Sequence, residues 1–186
     1  NPMSTTKYWI WLTLRRGLGG TGAAKVLDHF GTPEAAYFAD PEEYQLVEGL
    51  TSAARSSLGE KSLDGPERIL AECDRLDIRI MTRQDADYPN RLHQLADAPA
   101  VLYLKGRLPR FDDEVAIGIV GSRKATEYGV TTAARFGLEL TRGGALVISG
   151  MAQGIDAAAL KGALQAGGPV VSVLGGGIDV PYPWST

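Results

Sequence analysis

The chain of 186 residues is 44% hydrophobic with a formal net charge of −3, which gives enough apolar material for one buried core or two small ones and too little positive charge for a broad basic surface of the histone type. Any contact with nucleic acid must therefore be local. The single cysteine, Cys73, excludes an intramolecular disulfide framework and fits a reducing cytoplasm, and no run of about 18 apolar residues is present to form a membrane segment.

From Lys7 to about Asp74 the apolar spacing is mostly helical. Ala23 to Phe30 stops at Gly31, a C′ position, and Thr32-Pro33 restarts a helix through Phe38 with Thr32 as N-cap and Pro33 at the first helical position. Asp40-Pro41-Glu42-Glu43 repeats that start signal, and Leu50–Leu58 and Pro66–Leu76 read as two further helices. Residues 1–74 are thus expected to form a small all-α domain, with Cys73 buried in a helix. Gly17-Leu18-Gly19-Gly20-Thr21-Gly22 fits the dinucleotide pattern G-x-G-x-x-G, but helical punctuation follows it where a second strand is needed. It reads as a glycine hairpin between helices, a feature that can also offer amides to DNA phosphates.

Ile78 to Thr82 and Val101 to Leu104 suit strands, with turns at Asp87-Tyr88-Pro89 and Ala98-Pro99 between them. They are expected to join the later sheet, in a Rossmann-like domain over 75–186. Three β-branched runs then end at glycine: Ile117 to Gly121, Leu146 to Gly150 and Val170 to Gly177. Helices are predicted after the first two, from Thr126 to Arg142 and from Asp156 to Ala166, each followed by a Gly-Gly pair that turns the chain back. Consecutive βαβ units put strand ends, open loops and positive helix N-termini on one rim of a parallel sheet, where phosphates bind.

On that rim Gly121 lets a phosphate approach, Ser122 offers a hydroxyl and an N–H, Arg123 holds phosphate oxygens bidentately, and Lys124 adds a second cation. Ser149 to Asp156 forms a second loop with Gly150, Gln153 and Gly154. Asp156 there reads either as a helix N-cap or as a ligand contact, and Lys161 either as a phosphate contact or as a solvated lysine. Gly175-Gly176-Gly177 after the third run leaves room for a ligand backbone. Tyr182 and Trp184 are either base-stacking rings or core. His29 and His93 have no ligand partners at metal spacing, and neither a P-loop nor a G-x-S-x-G elbow occurs, so neither a cofactor nor a catalytic residue is assigned.

The ordered set Gly118-Ile119-Val120-Gly121-Ser122-Arg123, Ser149 to Ala159 and Gly176 to Pro183 resembles the DprA/Smf family of bacterial DNA-processing proteins. Asp87 to Leu92 and Asp97 to Gly106 are similar to that family's entry into its extended Rossmann fold, and the N-terminal helices to its small sterile-alpha-motif (SAM) or helix-hairpin-helix-like domain. The resemblance covers nearly the whole chain. It implies a cytoplasmic homodimer that binds and protects incoming single-stranded DNA during natural transformation and helps load the RecA recombinase, with no established reaction. By position it implies that Gly121, Ser122 and Arg123 line the phosphate pocket, with Gly150, Gln153 and Gly154 beside them. It further implies an incomplete Rossmann sheet, whose later strands and part of whose dimer interface belong to a longer protein. Two rivals use the same loops: a nucleotide-binding sensor, and a LOG-like phosphoribohydrolase, whose Pro-Gly-Gly-x-Gly-Thr loop is not matched by Gly175-Gly176-Gly177-Ile178-Asp179.

Overall fold

The computed structural model describes residues 2–150 and 153–178. The chain forms two compact units, Asn1–Lys105 and Gly106–Thr186.

The first unit contains α1 (Pro2–Thr13), α2 (Gly19–Phe30), α3 (Pro33–Phe38), a 3-10 turn (Glu43–Leu46), α4 (Ser52–Ser57), α5 (Asp64–Arg75), β1 (Arg79–Thr82), α6 (Asn90–His93) and β2 (Val101–Leu104). Its helix ends follow the local chemistry. Gly31 closes α2 by donating to the Leu27 carbonyl at 2.8 Å, and the hydroxyls of Thr32 and Thr51 each accept the N–H three residues ahead at 3.1 Å. The start signal at Asp40 leads elsewhere: Glu43 N–H bonds the Asp40 carbonyl at 2.9 Å, and a 3-10 turn replaces the capped α-helix. α1 is helical where a dinucleotide fold needs a strand, and the glycine run after it is a packing feature, since a Cβ on Gly20 would run into the backbone of Asp97.

The two early strands require a correction. β1 and β2 pair with each other, antiparallel, from Arg79 opposite Leu104 to Thr82 opposite Val101, and form a sheet separate from the later one. Ala100 and Val101 belong to the core that Trp11, Leu12, Val26, Tyr44, Val47 and Leu58 build among the helices, so burial ties the hairpin to the first unit. In compactness the division therefore falls after Lys105 and not near residue 75.

The second unit runs β3 (Ala116–Gly118), α7 (Glu127–Arg142), β4 (Leu146–Ser149), α8 (Ile155–Gln165), β5 (Val170–Ser172). The strands are parallel in the order β3-β4-β5, with Ile117 beside Val147 and Val147 beside Val170. This is a Rossmann-like βαβαβ arrangement, as expected. Val147 packs on Leu160 and Ala163 of α8, while α7 and α8 touch through Ala133, Ala158 and Ala159. Gly137 and Gly162 make that contact reciprocal: a Cβ on Gly137 would strike the Ala159 carbonyl, and one on Gly162 the Ala134 carbonyl.

Candidate nucleic-acid interface

The three strand ends stay laced together past the last ladder residues. Ile119 N–H donates to Ile148 O at 2.9 Å, Val173 N–H to Ser149 O at 2.9 Å, and the buried Ser149 hydroxyl to Ile119 O at 2.6 Å. Beyond them the first two glycine loops lock onto each other. Ile155 N–H donates to Ser122 O at 3.2 Å, and a Cβ on Gly121 would lie 2.6 Å from Ile155 Cβ. Gly154 sits at φ 80°, and a Cβ there would collide with the carbonyls of Ser122 and Arg123. Only glycine suits both the dihedral and the approach.

Asp156 closes the junction. Its carboxylate accepts Gly121 N–H on Oδ1 at 3.0 Å and Gly150 N–H on Oδ2 at 3.2 Å, and the residue is 6% exposed. It is therefore not the N-cap of α8: Gly154 holds that position, and the carboxylate reaches back across both loops instead of onto its own helix. The glycine amides expected to face a phosphate are thus engaged internally. The bridge to Gly121 spans a long stretch of sequence, and its only local trace is an acid just after the Gly-Ile step that opens a helix.

Outside this junction the loop after β3 is open and carries two cations, with Glu127 exposed in the first turn of the helix that follows. Ser122 Oγ donates to Lys124 O at 2.9 Å, which folds the loop back and leaves both Arg123 and Lys124 exposed. Among the described residues neither takes part in an ion pair. α7 starts directly after them, capped by Thr126, whose hydroxyl accepts Gly129 N–H at 3.1 Å. Two large apolar side chains flank the cations in sequence, Val120 at 79% exposure and Tyr128 at 81%. Neither stands out in the sequence as a surface residue, because Val120 reads as the end of the β-branched run and Tyr128 as one more residue of the following helix. Gln153 and Gly176 are exposed, and a Cβ on Gly176 would meet nothing within 4 Å. Gly177 is exposed as well. Lys161 is exposed further along α8. Tyr182 and Trp184, the stacking candidates, lie outside the described residues. No helix among the described residues is long and apolar enough to cross a membrane.

Residues 79–186 match the family described as DNA recombination-mediator protein A. The chain is 31% identical over 184 residues to Protein Smf of Synechocystis, covering 97% of this chain and 46% of that protein. It is 34% identical over 116 residues to DNA processing protein DprA of Bacillus subtilis, covering 62% of this chain and 39% of that one. Among solved structures it is similar to the X-ray structure of DNA processing protein A from Streptococcus pneumoniae, with a TM-score of 0.63 and 26% identity over 96% of this chain and 60% of that one. The chain spans less than half the length of these two curated relatives. With the family match running from β1 to the C-terminus and both glycine loops inside it, the chain belongs to the DNA recombination-mediator protein A family, the DprA/Smf proteins.

Proposed function

We propose that this chain binds single-stranded DNA by its phosphate backbone at the rim of the β3-β4-β5 sheet. The observation that carries the reading is the pair Arg123 and Lys124: two exposed cations with no ion-pair partner among the described residues, on a loop fixed from behind by Asp156, Ile155 and Gly154. A guanidinium fork and a point charge on a rigid base pair with successive phosphates and carry no sequence preference. Gly121, Ser122, Gly150, Gln153, Gly154, Gly176 and Gly177 supply a low surface that a strand can approach closely, and Lys161 extends the positive track along α8. Tyr128, with its exposed ring, is the stacking surface for an unpaired base, worth about 1–3 kcal/mol. Preference for single strands follows, because duplex bases are not available to stack.

In this reading the chain acts in the cytoplasm as the binding part of a homodimeric recombination mediator. It protects incoming DNA during natural transformation and delivers it to the RecA recombinase, without a reaction of its own. The local cationic site on a chain of net charge −3 is consistent with binding that salt weakens steeply, with a slope near −0.7 per phosphate neutralised. Fluorescence anisotropy with labelled oligo-dT and a matched duplex over a salt series tests it. Wild type should prefer the single strand, and Arg123→Ala should lower both affinity and salt slope. Equal affinity and slope in the variant would sink the assignment of the site.

A further inference from the structure

Two backbone N–H groups from different loops, Gly121 and Gly150, converge on one point between the ends of β3 and β4, and that point is occupied by the Asp156 carboxylate. Convergent amides beside a helix N-terminus form the geometry that binds a phosphate in other parallel α/β proteins. Here the anion comes from the protein. We propose that Asp156 is a positioning and specificity-determining residue: an internal anion that fills the amide nest, holds the two loops in register, and excludes free phosphate and mononucleotides from it.

The physical argument has three steps. A second anion placed on the same amides would lie within a few ångströms of a carboxylate that is 6% exposed, where water screens the repulsion poorly. The carboxylate is held in place from two sides, Oδ1 by Gly121 N–H at 3.0 Å and Oδ2 by Gly150 N–H at 3.2 Å, so an incoming anion would have to displace it from both amides. With the nest closed, a ligand meets the exposed cations Arg123 and Lys124 on the outer loop, which engage one phosphate weakly and a chain of phosphates well. Asp156 thereby turns a Rossmann rim away from the nucleotide-sized ligands its geometry otherwise suits and toward a polymer. Only this last step rests on the function proposed above; the exclusion of phosphate stands on the junction alone.

The test is a gain of binding. Inorganic phosphate and AMP are titrated by calorimetry into wild type, Asp156→Ala and Asp156→Asn at constant ionic strength, and oligo-dT anisotropy is run on the same proteins and on Arg123→Ala. Asp156→Ala, with the nest emptied, should bind phosphate at least tenfold more tightly than wild type. Asp156→Asn, which keeps the shape and removes the charge, should show a smaller gain of about threefold, and it carries the test if the alanine variant does not fold. Affinity for phosphate equal to or below that of wild type in the folded variants would overturn the proposal, since a residue that only props the loops gives loss without gain. If phosphate binding appears while Arg123→Ala leaves oligo-dT binding untouched, the filled nest stands and the single-strand reading fails.

Discussion

In the first unit Trp11, Tyr44, Leu12 and Leu58 are fully buried and space the helices by the width of large side chains, whereas in the second α7 and α8 meet through alanines and the paired glycines Gly137 and Gly162. The first unit also fastens a loop by side chains. Trp11 Nε1–H donates to the Glu60 carbonyl at 2.7 Å, Arg15 reaches the carbonyls of Ser57 and Glu60 at 3.0 and 2.7 Å, and the Lys61 ammonium lies 4.9–5.1 Å from the ring centres of Trp11, Tyr37 and Tyr44. The second unit fastens its loops by close backbone contact, the Asp156 carboxylate and the short hydroxyls of Ser122, Thr126 and Ser149. The first is vulnerable to removal of atoms and the second to their addition, and the rim proposed to bind DNA sits on the second.

The largest effect expected from breaking this contrast is in the aromatic core. Trp11→Ala should cost about 3–5 kcal/mol in urea unfolding followed by circular dichroism, because a cavity opens where the residue has no solvent exposure and Lys61 loses a ring beneath its charge. Gly162→Ala adds one carbon where the Ala134 carbonyl already stands and should cost about 1–3 kcal/mol, read as faster hydrogen exchange along α7 and α8. A neutral result for Gly162→Ala would show that α7 and α8 are free to separate and would end the contrast.

Tyr44 sharpens the comparison by pH. Its hydroxyl donates to the Ala36 carbonyl at 2.6 Å and contacts Lys61 Nζ, and burial, reinforced by the nearby Glu43, raises its pKa from 10.0 to about 12. Between pH 10 and 12 the unfolded chain has lost this proton and the native state still holds it, so Tyr44 contributes its full stability below pH 10 and loses it as pH rises through about 12. Lys61 acts in the opposite sense, since burial and then Arg15 hold its pKa below the ordinary lysine value and stability rises with pH in the window under 10.5. Tyr44→Phe should lower stability by about 1.5 kcal/mol at neutral pH and flatten the decline of Tm between pH 10 and 12. An unchanged alkaline profile would show that the buried hydroxyl does not govern it.

Much of this was legible because the signals are local. Thr32-Pro33 begins a helix where its hydroxyl says, the helix expected from Thr126 starts one residue later with Thr126 as its cap, and the glycine-terminated runs become β3, β4 and β5. What failed was partnership. Alternation at Ile78–Thr82 and Val101–Leu104 specifies strands without specifying what they pair with, and the burial of Ala100 and Val101 among helices decided it. Asp156 failed in the same way: its place at the start of a helix suggests a cap or a ligand contact, while its acceptors are used by the amides of Gly121 and Gly150 on the loops after β3 and β4. The expected site was read from glycines as a cradle, yet Gly121, Gly150 and Gly154 are glycine because other protein atoms press on them.

The smallest effect separates the units by function. Thr32 and Thr126 make equivalent caps, each accepting an N–H three residues ahead at 3.1 Å, so Thr→Ala at either position should cost about 1 kcal/mol by urea unfolding. Their consequences for binding should differ. Thr32 starts α3 in the aromatic unit, whereas Thr126 starts α7 directly after Arg123-Lys124 and sets the first turn that carries Tyr128. Loosening that turn gives the loop more conformations to lose on meeting a strand, a cost that appears in affinity. Oligo-dT anisotropy should therefore weaken about two- to fivefold in Thr126→Ala and stay at the wild-type value in Thr32→Ala. Equal losses in both would mean that overall stability governs the affinity; a loss in Thr126→Ala alone would tie binding to the backbone geometry of the second unit.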